Sequence, residues 1–394
     1  MDQDPIKKII HTAAPQLWKN FKFFELGAPL HNVFECRLFS DAFLLGEARD
    51  LGPISVLNGV PHRRYGDDYA MKPVAILRTF DHRPMEAWSP KETSSFSHYH
   101  GGQIFDEAAA LLGLILDVRV AAGLPERDFL IDDDPFGRPT LYHRDFEPSY
   151  NPGRRSEQMP RLLRQTSMEP LSRLTTLGQL CEADATALVK AARMFQNATW
   201  IANADPAMAW LMYVSAAETT AVRYDTGASA PDIDPATSYP KIVKILEKSG
   251  RMDLLPEILG ALRPQTRALA KFLHFIARFS PRPPEPRPQH GAFDFSELSV
   301  RAAMKSIYTH RSNALHSGTA MPLPMCLPPS VGKQGEVVET PWGVGTETRD
   351  ANWLHDETPM LLGTFAHIVR EAILGWWLEL EAAPIPRPPG DPAH

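Results

Sequence analysis

The sequence predicts an α+β protein in two parts, a mixed α/β domain over residues 1–155 and an all-α bundle over residues 161–382. Before residue 155, two segments predicted to be strands, one of them alternating apolar and polar side chains, precede one helical segment. After residue 161, apolar residues recur at spacings of three and four in one segment after another, which is typical of amphipathic helices. The proline-rich residues 383–394 are predicted to form a disordered tail.

Two strands and one helix are predicted in the N-terminal part. The strands are Val33–Ser40, where apolar and polar residues alternate, and Lys72–Thr79. The helix spans Gly102–Ala122, because its apolar residues fall at helical spacing and Gly123 would end it. Residues 144–160 are rich in proline and predict the boundary between the two parts.

The C-terminal part is predicted to consist of helices joined by proline-rich segments. Residues 281–288 hold five prolines, which predicts an extended connector, and residues 319–356 are predicted to be a long loop. In the last helix, Trp376 and Trp377 are expected to pack in the core or at a dimer interface rather than to stack on bases. The predicted helices are Glu182–Trp200, Pro206–Arg223, Tyr239–Lys248, Asp253–Leu262, Thr266–Phe279, Ser296–His316 and Pro359–Glu381.

Composition excludes several classes of protein. The 394 residues carry a net charge of −6, which argues against a uniformly basic nucleic-acid coat protein. Cys36, Cys181 and Cys326 lie far apart and fit neither a disulfide framework nor a zinc site, so Cys181 and Cys326 are expected to be core thiols. The acidic N-terminus shows no targeting segment, and no apolar run approaches the roughly 20 residues of a membrane span. We therefore expect a cytoplasmic protein that does not contact a membrane.

The charge is distributed unevenly along the chain. Residues 263–311 hold nine Arg and Lys against three Asp and Glu, a net of +6, so the remainder carries −12. Because RNA phosphates require neutralising cations, this segment predicts a basic surface on an otherwise acidic protein.

The basic segment leads directly into Arg311 and His316, which are separated by four residues, one of them Asn313. Histidine transfers protons near neutral pH, and the arginine fork suits phosphate, so the pair could serve RNA cleavage by the 2′-OH. The spacing alone is weak, since Arg138 and His143 share it in an acidic, proline-containing loop. On a continuous helix the two side chains would be about 140° apart. They would therefore converge only if the helix ended between them or a second subunit completed the site.

The segment Arg311-Ser-Asn-Ala-Leu-His316-Ser-Gly resembles the motif of the HEPN domain family, in particular its Apea-like type. Residues 210–218 resemble the family's apolar helix with an acidic residue, Glu218, and the helix with Trp376-Trp377 resembles its closing helix. The resemblance covers roughly residues 180–382, and the run 107–139 more weakly resembles the regions that precede such domains. Ser312 departs from the larger polar residue common in the family, which leaves open which neighbour assists the reaction.

This resemblance implies a metal-independent endoribonuclease that needs no cofactor and acts as a homodimer. Arg311 and His316 would be catalytic, with Asn313, His310 and Glu218 in support. The products would be a 2′,3′-cyclic phosphate and a 5′-OH, and the RNA target could be a tRNA or a phage transcript. The family's roles further imply phage defence or stress response, with the N-terminal domain sensing a trigger or restraining the nuclease.

Two alternatives compete with this interpretation. The helical domain could be a non-catalytic dimerisation or binding module, in which Arg311 caps carbonyl groups or pairs with Glu218. A metal enzyme would instead use His98 and His100, with His62 and His82 upstream, but no carboxylate or cysteine partner stands at a characteristic spacing, so no metal site is assigned. The acidic turn 132–134 lacks the ligand pattern of a calcium loop, and 343–345 is not a phosphate loop.

Overall fold

The computed structural model describes most of the chain, and within it the fold is mixed α/β, as the sequence predicts. Several predicted features lie outside the described residues: the tail 383–394, most of the boundary 144–160, and His62, His98, His100, Asp132, His143 and Gly343. The described residues are 5–10, 12–59, 72–84, 101–129, 134–140, 157–162, 164–225, 240–342, 345–348 and 351–382.

The strands form one main sheet and two small ones. The main sheet is antiparallel with the order β3-β4-β1-β5-β6, whereas β2 and β7 form a parallel pair and β8 and β9 a hairpin. The strands are β1 (Asn32–Ser40), β2 (Phe43–Leu45), β3 (Ile54–Asn58), β4 (Lys72–Asp81), β5 (Ala121–Phe129), β6 (Arg138–Pro139), β7 (Gln165–Ser167), β8 (Gly345–Thr348) and β9 (Ala351–Leu354). The two predicted strands are thus confirmed as β1 and β4.

Helices follow the N-terminal sheet in sequence, as predicted, but two predictions need correction. The predicted helices over 253–262 and 266–279 are one continuous helix, and the loop 319–356 contains a 3-10 turn at Leu323–Cys326 and the β8–β9 hairpin. The proline-rich connector 281–288 carries neither helix nor strand. The helices are α1 (Pro5–Ile10), α2 (Gln16–Glu25), α3 (Ile104–Leu116), α4 (Glu182–Ile201), α5 (Pro206–Asp225), α6 (Pro240–Ser249), α7 (Leu255–Arg278), α8 (Glu297–Ser317) and α9 (Leu362–Ala382).

Helix α3 ends six residues earlier than predicted. Asp117 takes a left-handed conformation, with φ of 54°, and its backbone N–H returns to the Gly113 carbonyl, which closes the helix. The chain then forms β5 over residues 121–129, which include Gly123, Leu124 and Pro125, instead of continuing the helix. Pro125 lies opposite Cys36 where the β1–β5 register is irregular, a position at which a strand tolerates proline.

Helix α3 is apolar on nearly every side because it is buried between the sheet and the helices. Phe34 on the inner face of β1 meets Phe105 edge-on, with ring centroids 6.4 Å apart. At its other end, groups from the C-terminal part complete its hydrogen bonds. Arg370 donates to the carbonyls of Leu114 and Ile115, at 2.7 and 2.6 Å, and Arg164 donates to the Leu116 carbonyl at 3.0 Å.

The one carboxylate buried within α3 has a partner in α2. Glu107 accepts the backbone N–H groups of Gln16 at 3.2 Å and Leu17 at 2.7 Å, which begin that helix and have no acceptor within it. Burial raises the pKa of Glu107 from 4.5 to about 8, because desolvation disfavours the charged carboxylate more than these bonds favour it.

Replacing Glu107 is expected to change how the stability of the protein depends on pH. Between pH 4.5 and about 8 the folded state holds one proton more than the unfolded state, so Glu107 lowers stability as pH rises through that window, by at most about 1.4 kcal/mol per pH unit. Glu107→Gln should remove this slope while keeping one acceptor. Glu107→Leu should cost about 2–4 kcal/mol, since both N–H groups of α2 lose their acceptor.

Urea unfolding of the wild type and both variants at pH 5, 6.5 and 8 measures the effect. The difference in stability between the wild type and Glu107→Gln should shift in favour of the variant as pH rises. A difference that stays constant over that range would contradict the raised pKa.

Helix α5 is central to the helical part and contacts α4, α7, α8 and α9. Trp210 of α5 stacks on Phe365 of α9 with ring centroids 4.8 Å apart. Trp376 and Trp377 are buried in the same core, and the Trp377 indole donates to Thr176 Oγ1 at 3.0 Å, so their predicted core position is confirmed. Buried side chains cannot stack on bases, so the base-stacking alternative for the two tryptophans is wrong.

The cysteine predictions hold for one residue and fail for the other. Cys326 is buried, but Cys181 is exposed at the position that precedes α4, and its thiol lies 2.9 Å from the Asp184 carboxylate. A residue at the start of a helix faces solvent unless another element covers it. The sequence does not show that Cys181 lacks such a cover.

A buried ionic cluster joins the sheet region to the helices. Arg119 is fully buried and donates to the Thr199 carbonyl of α4 at 3.1 Å, and to the carboxylates of Asp41 and Glu157. Glu157 also accepts Asn203 Nδ2 at 2.8 Å. The division of the chain at residues 155 and 161 stays a prediction, and this cluster crosses it.

Candidate functional site

The helix that carries Arg311 and His316 is unbroken between them. Ser296 caps the start of α8 by accepting the Ser299 N–H, and Gly318 ends it with φ of 65°, its N–H returning to the Asn313 carbonyl. The helix therefore does not end between Arg311 and His316. Within one chain the two side chains leave the axis about 140° apart, so the first of the two conditions for convergence is not met.

Arg311 continues the buried face of α8. Its guanidinium donates to Glu218 Oε2 of α5 at 2.7 Å and lies over the Tyr308 ring, 5.7 Å from the centroid. The side chain is 20% exposed. Its Nε is buried and has no hydrogen-bond partner among the described residues. Arg311 is thus held in place at one end of its guanidinium, with hydrogen-bonding capacity left at the other.

His316 lies on the opposite, solvent-facing side of α8. Arg301, Lys305 and Thr309 are exposed on the same side, within an arc of about 80°. We call Arg301, Lys305 and His316 the α8 basic stripe. The stripe combines two exposed cations with an exposed histidine on one side of one helix.

The other predicted supporting residues lie apart from Arg311. The His310 Nε2–H donates to the Glu357 carbonyl at 2.7 Å, and its ring meets Trp353 edge-on, so it fastens the β8–β9 hairpin to α8. Asn313 has an exposed side chain, and its carbonyl accepts the N–H that ends the helix. Of the residues selected from sequence, the structure brings Arg311 and Glu218 together, and it places His310, Asn313 and His316 on other sides of α8.

The predicted basic segment presents less positive charge to solvent than its net charge of +6 suggests. Several cations of that segment are neutralised by acidic residues from other parts of the chain: Lys271 by Asp225 at 2.8 Å, Arg287 by Glu339 at 3.1 Å, Arg278 by Glu379, and Arg311 by Glu218. Arg301 and Lys305 remain exposed, as do Arg267 and Arg282 elsewhere in the segment, so part of the segment's positive charge lies on the α8 basic stripe.

Among the residues considered for a metal site, His82 and Asp134 are described, and both make other contacts. His82 donates from Nδ1 to the Ala28 carbonyl at 2.8 Å, so this ring fixes a turn. Asp134 pairs with Arg138 at 2.9 Å and accepts the Phe136 N–H. Within the described ranges, no three His, Cys, Asp or Glu residues are grouped as a metal ion requires. Nor does any described helix have the length and apolarity needed to cross a membrane.

Sequence reasoning missed two polar residues in a cavity between the two parts. Gln158 and Glu339 are buried there, although they come from segments predicted to be a boundary and a loop. No motif or spacing marks either residue, because their burial is created by the fold.

The structure places Arg301, Lys305 and His316 on one exposed side of α8, whereas the HEPN resemblance rests on the sequence alone. No family model matches this chain, and neither does a curated protein or a solved structure.

Proposed function

We propose that the protein is a metal-independent endoribonuclease of the HEPN type whose active site is shared by two copies of the chain. The observation that supports this is the arrangement on α8: a partly buried Arg311 held by Glu218 and an exposed His316 about 140° away on the same helix. Two such helices related by a twofold axis would place His316 of one copy against Arg311 of the other. A helical HEPN bundle within residues 161–382 is part of the same proposal.

In this site the RNA supplies its own nucleophile. The 2′-oxygen attacks the adjacent phosphorus and gives up its proton to a base, the bond from phosphorus to the 5′-oxygen breaks, and the 5′-oxygen takes a proton. His316 transfers protons, and Arg311 stabilises the negative charge on the phosphorane-like transition state. Glu218 orients Arg311 through the 2.7 Å hydrogen bond. The products are a 2′,3′-cyclic phosphate and a 5′-OH.

Incubation of the purified protein with total RNA and with tRNA tests this function. Cleavage should persist in EDTA and should leave 2′,3′-cyclic phosphate ends. An Arg138→Ala variant serves as the matched control, since it removes the other arginine with the same spacing to a histidine and should cleave normally. Cleavage that stops in EDTA, or that leaves 3′-OH ends, would contradict the proposal.

The α8 basic stripe is expected to hold RNA by its phosphates. Arg301→Gln and Lys305→Gln should each weaken binding to all RNA sequences alike, because phosphate contacts do not read bases. Each change should lower the slope of log affinity against log salt by about 0.7 for single-stranded RNA. Fluorescence anisotropy across a salt series measures this, with exposed Lys244 on α6 changed to Gln as the control. An unchanged slope in both stripe variants would place the RNA elsewhere.

One observation favours a second function, a non-catalytic dimerisation or binding module. The Arg311–Glu218 ion pair joins α8 to α5, as a purely stabilising pair would. Under this alternative, RNA remains intact with every variant, the dimer persists, and Glu218→Gln lowers the unfolding temperature as much as Arg311→Ala does.

Under the proposed function, a phage- or stress-related trigger acting on the N-terminal part would control the nuclease.

A further inference from the structure

A cavity of about 410 Å³ lies where the N-terminal part meets the helices. Its walls come from the end of α3, residues 158–162 and 164, the connector 284–286, the loop 329–339 and the first three turns of α9. Cavities of roughly 300–1,000 Å³ are the size that small-molecule ligands occupy. The cavity is separate from α8, so ligand binding in it does not depend on ribonuclease activity.

Two residues that line this cavity each have a buried oxygen without a hydrogen-bond donor among the described residues. Glu339 is 1% exposed; its Oε2 accepts the Phe293 N–H at 2.8 Å and Arg287 Nη2 at 3.1 Å, but its Oε1 has no hydrogen-bond partner among the described residues. Gln158 is 5% exposed and donates from Nε2 to the Cys326 carbonyl at 2.9 Å, while its Oε1 likewise lacks a donor in the described part of the chain. Buried polar atoms are nearly always paired, so two such oxygens around one cavity indicate a missing donor.

The missing donor is a neutral N–H group rather than a cation. Arg287 already pairs with Glu339, and Arg161 Nη2 lies 3.6 Å from the free Oε1, so a second positive charge would face two guanidinium groups. The apolar walls, which include Met159, Pro284 and Leu361, suit a flat ring. At the edge, Arg164 pairs with Asp117 at 3.2 Å but is 44% exposed, so it can also meet an anionic substituent.

We propose that this cavity binds a nucleobase with an exocyclic amino group, carried by a nucleoside or a nucleotide. Guanine, adenine and cytosine each offer an amino group that Glu339 Oε1 and Gln158 Oε1 can accept. Uracil has no amino group, and the one N–H it keeps in a nucleoside, at N3, stands between two carbonyl oxygens, so one of the two acceptors would face a carbonyl oxygen. A site whose polar groups are buried discriminates strongly against a ligand that leaves them unpaired.

Calorimetric titration of the full chain tests the proposal with guanosine, adenosine, cytidine and uridine, and with their 5′-monophosphates. At least one amino-bearing nucleoside should bind, and uridine should bind at least about tenfold more weakly. Tighter binding of the monophosphate, lost in Arg164→Gln, would identify a nucleotide as the ligand, whereas equal binding would identify the nucleoside. Failure of all eight compounds to bind, or equal affinity for uridine, would overturn the proposal.

Gly363 in α9 provides a matched pair of variants. A Cβ added there would lie 3.8 Å from the Gln158 carbonyl oxygen and from Met159 Sδ, an ordinary contact, so Gly363→Ala should bind like the wild type. Gly363→Leu should fill the cavity and abolish binding while the protein stays folded, as its unfolding temperature would show. Glu339→Gln should weaken binding at least about tenfold, since it loses the charged acceptor. Unchanged binding in Gly363→Leu would exclude this cavity as the site.

Discussion

Heterodimers that combine an Arg311→Ala chain with a His316→Ala chain are expected to recover about half of the wild-type rate of RNA cleavage, since one of two symmetry-related sites stays intact. Each variant alone is expected to lose about 10²–10⁴-fold in activity, the usual cost of removing a proton-transfer group or a cation at the transition state. The expectation follows from α8, which continues without a break from Arg311 to His316. A site shared between copies takes Arg311 from one chain and His316 from the other.

Two affinity tags allow the heterodimer to be purified away from both parent dimers. Its activity is then compared with the wild type and with either variant alone on the same RNA. His316 is exposed, so His316→Ala should keep an unfolding temperature close to the wild type, whereas Arg311→Ala also loses the ion pair with Glu218 and should lower it modestly. A heterodimer as inactive as its parents, beside an active wild type, would show that the two residues do not act across the subunits in this way.

Arg119→Met is expected to lower the free energy of unfolding by about 3–5 kcal/mol. Arg119 is fully buried and pairs with Asp41 and Glu157. Without the guanidinium, both carboxylates lose their cation, and they and the Thr199 carbonyl lose one hydrogen-bond donor. Burial already raises the pKa of Asp41 above its ordinary value, so the variant should be less impaired at low pH, where that carboxyl can take a proton.

Arg37→Met is the matched control for this change. Arg37 pairs with Glu126 at 2.6 Å, but both side chains are more than one third exposed, so its loss should cost no more than about 1 kcal/mol. Chemical denaturation of both variants measures the difference. If Arg119→Met were no more destabilising than Arg37→Met, the buried cluster would not stabilise the fold as its geometry implies.

Periodicity predicts the elements whose own residues decide their structure. It identifies β1, β4 and most of the helices, because each carries a clear apolar pattern. It fails where a neighbour decides: Pro125 is a poor strand residue, yet it lies opposite Cys36 of β1 within β5. Helix α7 likewise continues through residue 264, a proline, because its amphipathic face packs on α5 and α8. Helix α2 was not predicted, although Pro15 precedes it and Leu17, Trp18 and Phe21 follow at helical spacing.

The candidate site was predictable only in part. The spacing of Arg311 and His316 fixes their angle once the helix is known to be continuous, and Glu218 was an expected partner of Arg311. The separation of His310 from Arg311 depends on the Glu357 carbonyl, which no sequence pattern connects to it. Gln158 and Glu339 could not be identified in advance, since an unpaired oxygen is a property of the packed molecule.

The carbonyl groups at the C-terminal end of α3 link the two parts of the chain. Their donors are the guanidinium groups of Arg164 and Arg370, which come from the other side of the predicted boundary. A piece of the chain that ends before residue 157 would therefore keep a helix with unsatisfied carbonyls at its end and an open apolar flank. The two parts are therefore expected to lose stability together when the chain is cut between them.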